Sequence, residues 1–152
     1  MNPQVKILSG IPCSGKSTYT KTCTGYKIIS RDRIRLDMFG YDYKQVDKSE
    51  RQVANMFNKI LDIMIENKDN IIIDNTNVKE THLNEFIKKF NGSGYDIEIK
   101  FFDILLWKAK YRNVIRRLKT GKWTPINVIN QMYNSFQKIN RSNYKQYIEK
   151  DW

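Results

Sequence analysis

Gly10-Ile11-Pro12-Cys13-Ser14-Gly15-Lys16-Ser17 fits the spacing G-x-x-x-x-G-K-[ST], and that spacing has a definite chemistry. The glycines let the chain bend until successive backbone N–H groups face one centre, a cradle for an anion. The helix that must follow Gly15 adds its positive N-terminal end. A lysine directly after the second glycine reaches the outer phosphates of a nucleoside triphosphate, and the next hydroxyl can ligate Mg²⁺. Gly10, Cys13, Ser14, Gly15, Lys16, Ser17 and Thr18 are therefore the expected ATP-binding residues, with Ser17 the expected metal ligand. Cys13 needs only to be small in a tight turn.

A phosphate loop alone does not separate a kinase from a GTPase or a motor. In an open parallel sheet the deciding groups sit at the carboxyl ends of the other strands. One such end delivers Ser30-Arg31-Asp32-Arg33-Ile34-Arg35. Asp32 suits a base that accepts the proton of an acceptor hydroxyl. Arg35, three residues on, suits a planar clamp on an acceptor phosphate. The same run also reads as a plain helix start, with Asp32 in its first turn. A second strand end gives Asp74-Asn75-Thr76-Asn77. An acid there fits a partner of Mg²⁺, Asn75 and Thr76 fit substrate contacts, and Asn77 fits a cap for the following helix. Farther on, Arg112, Arg116 and Arg117 lie on one helical segment, with Arg112 and Arg116 four apart on a shared flank. An arginine so placed folds over a transferring phosphoryl group, or else belongs to an exposed basic face.

The elements that must hold these residues follow from pattern. Val5 to Leu8 reads as a buried strand running into the loop and a helix to about Thr22. Tyr26 to Ser30 reads as a second strand, Ile71 to Asp74 as a third buried on both faces, and Ile97 to Phe102 as a fourth. Ser49 to Asn67 reads as a helix opened by Ser49 and Gln52 at capping-box spacing, with Val53, Met56, Phe57, Ile60, Ile63 and Met64 as its apolar stripe. Leu83, Phe86, Ile87 and Phe90 mark a helix ending near Asn91-Gly92. Trp107, Tyr111, Val114, Ile115 and Leu118 mark another. Thr124-Pro125 opens a last helix carrying Ile129, Met132, Phe136 and Ile139. Alternating strands and helices predict an α/β fold: a short parallel sheet of about four or five strands, helices on both faces and a C-terminal helical lid. One domain over residues 1–152 is the expectation.

Composition narrows the class. The chain carries a net charge of +11, and twelve basic against three acidic residues fall between Lys100 and Trp152. Such a field draws polyanions, although a lysine-rich solvated surface gives the same count. Cys13 and Cys23 make no disulfide framework and fit a reducing compartment. No signal segment opens the chain and no apolar run is long enough to span a bilayer. Together these predict a cytoplasmic protein with no membrane partner. His82 and the two cysteines offer no transition-metal spacing.

Read together, these segments resemble the kinase domain of phage polynucleotide 5′-hydroxyl kinase and related end-healing kinases. The match rests on Gly10 to Thr18, Ser30 to Arg35, Ile73 to Asn77, and Phe102-Asp103 through Tyr133, including Arg112-Asn113, Arg116 and Pro125. The resemblance implies transfer of the ATP γ-phosphoryl group to the 5′-hydroxyl ends of DNA or RNA. It gives catalytic roles to Lys16, Asp32 and Arg116, Arg112 supporting, and an acceptor site to Asp32, Arg35, Asp74 and Thr76. Two departures stand out: Cys13 where the family often has glycine, and Asn75 rather than an acid directly before Thr76. The best-known members also carry a 3′-phosphatase domain, and the expectation here is a kinase without end-phosphatase activity. Two other readings keep the loop: a kinase for another hydroxyl acceptor (a nucleoside or a hydroxymethylated base in DNA), or a nucleotide-gated nucleic-acid-binding protein without transfer. Asp32 argues against the last, since a pure switch needs no base there.

Overall fold

A computed structural model describes residues 1–40 and 47–148. The chain runs β1 (Gln4–Ser9), α1 (Lys16–Thr20), β2 (Lys27–Ile29), α2 (Arg31–Phe39), α3 (Asp47–Glu66), β3 (Ile71–Ile73), α4 (Glu80–Asn91), β4 (Asp96–Phe101), α5 (Leu106–Thr120) and α6 (Ile126–Gln137), with a 3₁₀ turn at Arg141–Tyr144. The four strands form one parallel sheet in the order β2-β3-β1-β4. Val5 pairs with both Ile71 and Ile97, and Ile7 with both Ile73 and Ile99. All four carboxyl ends thus come to one edge. The short β3 is wholly apolar and wholly buried, as expected of a central strand covered on both faces.

The core lies between this sheet and its helices. Val53, Phe57 and Leu61 are fully buried, one ridge of α3 at four-residue spacing. The expected α3 stripe is corrected at its edges: Met56 and Ile63 are exposed, and Leu61 takes the inner place. Phe57 meets Phe86 of α4 at 6.0 Å between ring centroids, and Phe90 meets Tyr95 edge-on at 5.1 Å, distances at which aromatic pairs attract. Among the described residues α3 begins at Asp47, so Ser49 lies inside its first turn and not at the cap.

Three other local expectations change. Pro125 is the N-cap of α6 rather than its first helical residue, and the Thr124 hydroxyl accepts from Arg116 instead of capping. On α5 the face turned inward carries Ala109 and Asn113, while Trp107, Tyr111, Val114 and Leu118 are exposed. Asn77 does not cap α4, whose N-cap is Lys79. It is buried, and its amide donates to the Leu8 carbonyl at 2.7 Å, tying the end of β3 to β1.

The tail beyond Asn140 packs on the β4 edge. Ile99 N–H donates to the Tyr147 carbonyl at 2.7 Å, and Tyr144 is buried. The Arg141 guanidinium lies over Phe101 and forms a two-pronged pair with Asp103. Among the described residues no helix is long and apolar enough to cross a membrane.

Candidate active site

The phosphate loop leaves β1 at Ser9 and is fixed at its first residue. Gly10 N–H donates to the Thr76 carbonyl at 2.8 Å. A Cβ on Gly10 would stand 2.7 Å from Ser14 Oγ and 2.9 Å from Phe102 Cβ, so only glycine passes between β1 and β4. Gly15 has φ 106°, a conformation that costs glycine alone nothing. Cys13 also sits in the left-handed region, at φ 65°, a conformation that favours glycine. The loop carbonyls enclose the Lys16 side chain. Its ammonium donates to the carbonyls of Gly10 and Ile11 at 2.6 and 2.9 Å and to Ser14 Oγ at 3.3 Å. Burial pushes Lys16 down to about 8, against the pull of Asp74 and Asp32. Ser17 and Thr18 lie exposed beside it.

The end of β2 delivers α2. Ser30 caps this helix, its hydroxyl accepting from Arg33 N–H, and Asp32 falls in the first turn. The helix-start reading of this run is met, with Asp32 in the first turn of α2; its carboxylate adds to the field at Lys16. Arg35 donates to Asp32 at 2.5 Å and grips both oxygens of Glu50 on α3 at 2.8 and 2.9 Å. The hydrogen bonds to Glu50 raise the guanidinium above its ordinary pKa. The end of β3 delivers Asp74, whose acidity burial weakens while Lys16 and Lys122 oppose the shift. Asn75 Oδ1 accepts from Arg31 N–H at 2.9 Å and so aligns α2 with β3.

From the far side, α5 closes over the loop. Arg112 donates to the Cys13 carbonyl at 3.2 Å. Arg116 donates to Asn113 Oδ1 at 3.0 Å and to Thr124 Oγ1 at 2.9 Å, and its charge reaches Lys16. Asn113 is fully buried, and its amide also bonds the Thr124 backbone in both directions. The loop, the start of α2, the end of β3 and α5 thus meet at the carboxyl edge of the sheet, where the charges of Asp32, Asp74 and Arg116 act on Lys16.

The AAA domain family profile matches residues 5–139, nearly all of the chain and every residue of this site. The chain belongs to the AAA domain family. Within solved structures, this AAA domain is similar to a chain of the Pnkp1/Rnl/Hen1 RNA repair complex, with TM-score 0.79 and 29% identity over 90% of this chain and 44% of that one. It is also similar, 28% identical over 93% of its length, to a protein of Autographa californica nuclear polyhedrosis virus assigned as a bifunctional polynucleotide kinase/RNA ligase, of which the match covers 22%. The chain therefore spans less than half the length of these relatives. The PezAT toxin–antitoxin system of Streptococcus pneumoniae shares the fold at TM-score 0.73 with 14% identity. The AAA domain is thus an α/β P-loop kinase fold.

Sequence reasoning missed three site residues of this AAA domain. Glu50 lies fifteen positions from the Arg35 it holds, and Asn113 and Thr124 gain their meaning only when α5 folds back on the loop after it. The Arg112-Asn113 pair carried the only sequence signal for them.

Proposed function

We propose that this chain transfers the γ-phosphoryl group of ATP to the 5′-hydroxyl end of a polynucleotide. The meeting of the phosphate loop with the end of β3, the start of α2 and helix α5 carries the reading: Gly10 N–H bonds the Thr76 carbonyl, Arg31 N–H bonds Asn75, and Arg112 bonds the Cys13 carbonyl. It is supported by the likeness to a protein assigned as a polynucleotide kinase/RNA ligase and to a chain of an RNA repair complex.

In this reading the loop amides and Lys16 hold the β- and γ-phosphates of ATP. The Lys16 ammonium leaves the Gly10 and Ile11 carbonyls to do so. The Asp32 carboxylate accepts the proton of the 5′-hydroxyl as its oxygen bonds to the γ-phosphorus and the bond to ADP breaks. Arg116 stabilises charge on the moving phosphoryl, and Arg112 holds the lid against Cys13. Arg35, its Nε–Nη2 edge held by Glu50, turns the Nη1 side that now pairs with Asp32 to the acceptor's neighbouring phosphate, and Thr76 lines the acceptor pocket. Hard oxygen donors at Ser17 and Asp74 fit Mg²⁺. Mg²⁺ supplies a Lewis acid that neutralises phosphate charge. The reading treats residues 1–152 as one kinase domain acting in a reducing cytoplasm.

A panel of acceptors tests this. With γ-labelled ATP and Mg²⁺, label is expected on 5′-hydroxyl oligonucleotides. Label confined to free nucleosides, or to hydroxymethylated duplex DNA, overturns the assignment.

A further inference from the structure

Helix α5 packs its small and polar side on the fold and turns its large apolar side outward. Trp107, Tyr111, Val114 and Leu118 recur at i, i+4, i+7 and i+11, with 65%, 61%, 44% and 79% of their surfaces exposed. A ridge of this length spans about 17 Å at 1.5 Å per residue. On a helical wheel Lys108, Arg112 and Lys119 flank it on one side and Lys110 and Arg117 on the other. The helix holds six basic residues and no acid. At its C-terminal end Arg117 stacks 4.9 Å from the Trp123 ring centroid. The adjoining Thr124 accepts from Arg116 at 2.9 Å and is held by Asn113, so the ridge ends beside Arg116 of the candidate site. A surface that combines exposed rings, two cationic borders and no acidic residue does not match another basic copy of this chain. It matches a flexible polyanion with flat, stackable groups.

Resting on the polynucleotide reading above, we propose that the outer face of α5, from the Trp123–Arg117 stack to Trp107, is a stacking platform for the single strand whose 5′ end occupies the site. Phosphates lie along the basic borders, and bases stack on Trp123, Tyr111 and Trp107. At about 3.4 Å per nucleotide of a strand, the ridge accepts about five nucleotides.

The test measures binding of fluorescently 3′-labelled 5′-hydroxyl single strands of two to twelve nucleotides by anisotropy, to the intact chain and to Trp107→Ala/Tyr111→Ala. Affinity of the parent is expected to rise with length to about five or six nucleotides and then level. The alanine pair should lose about tenfold or more on a ten-mer, as removal of stacking rings does elsewhere. It should keep dinucleotide affinity, and Trp107→Phe/Tyr111→Phe should bind the ten-mer like the parent. Length-independent binding by the parent overturns the platform, as does full ten-mer affinity in the alanine pair. A parent dimer that the alanine pair splits, with strand binding untouched, also overturns it, by giving the face to a second copy. Phosphoryl transfer is scored separately. No transfer to any 5′-hydroxyl end defeats the polynucleotide reading, whereas transfer without length dependence defeats the platform alone.

Discussion

Lys16 rests inside its own loop, ready in the proposed reading for a nucleotide phosphate. Its ammonium is enclosed by two loop carbonyls, and burial holds it near 8. The sign follows directly. The folded chain releases this proton as pH rises through about 8, while an ordinary lysine keeps it to 10.5. Nucleotide phosphates need the charged form. ATP affinity is therefore expected to fall above pH 8, by up to about tenfold per pH unit, with proton uptake on binding. Titration calorimetry at pH 7.5 to 9.5 in buffers of different ionisation enthalpy checks this, and a flat affinity would contradict it. Cys13 marks the opposite economy: a non-glycine residue held at positive φ, where the left-handed backbone costs roughly 1 kcal/mol.

At the scale of elements, two side-chain clamps hold Arg35 and Arg116. Glu50 on α3 fixes the Arg35 fork of α2. Glu50→Ala is expected to raise the KM for the acceptor about tenfold and leave that for ATP nearly unchanged, measured by steady-state kinetics with each substrate varied. Asn113 joins α5 to the segment before α6 and orients Arg116. Asn113→Ala is expected to lower kcat more than it raises the KM for ATP, and to destabilise the chain by about 1–3 kcal/mol through unpaired buried groups. Urea unfolding and kinetics on the same sample check both parts. These clamps also mark the limit of what sequence alone revealed. Strand β3 was legible because three consecutive isoleucines admit little else, and the loop because its spacing serves one chemistry. The capping role given to Ser49 failed because α3 already runs at Asp47, and those given to Asn77 and Thr124 failed because a short polar side chain serves either its own helix or a distant partner. Only tertiary contact decides between them. Asn77 went to Leu8, and Thr124 to Arg116. The α5 stripe was found, but its period could not say which side of the helix the fold would cover.

For the whole molecule, charge and topology act together. The parallel sheet gathers four strand ends at one edge, and the sequence carries a net +11, concentrated in the segment that supplies the lid and the tail. Strand binding should therefore weaken steeply with salt, each lost phosphate contact contributing about 0.7 to the slope of log affinity against log salt. A titration from low to moderate salt should give a slope of several; a slope near zero would mean that the basic surface takes no part. The tail is structural as far as Ile148, its Tyr144 and Arg141 closing the β4 edge over Phe101. The central claim, however, is that Asp32 faces the outermost phosphate across the acceptor hydroxyl. Single-turnover transfer from γ-labelled ATP to a 5′-hydroxyl oligonucleotide, comparing the parent with Asp32→Asn, tests it most directly. The account predicts a loss of about 10²–10⁴ in rate with ATP affinity retained; transfer at the parental rate in Asp32→Asn would contradict it.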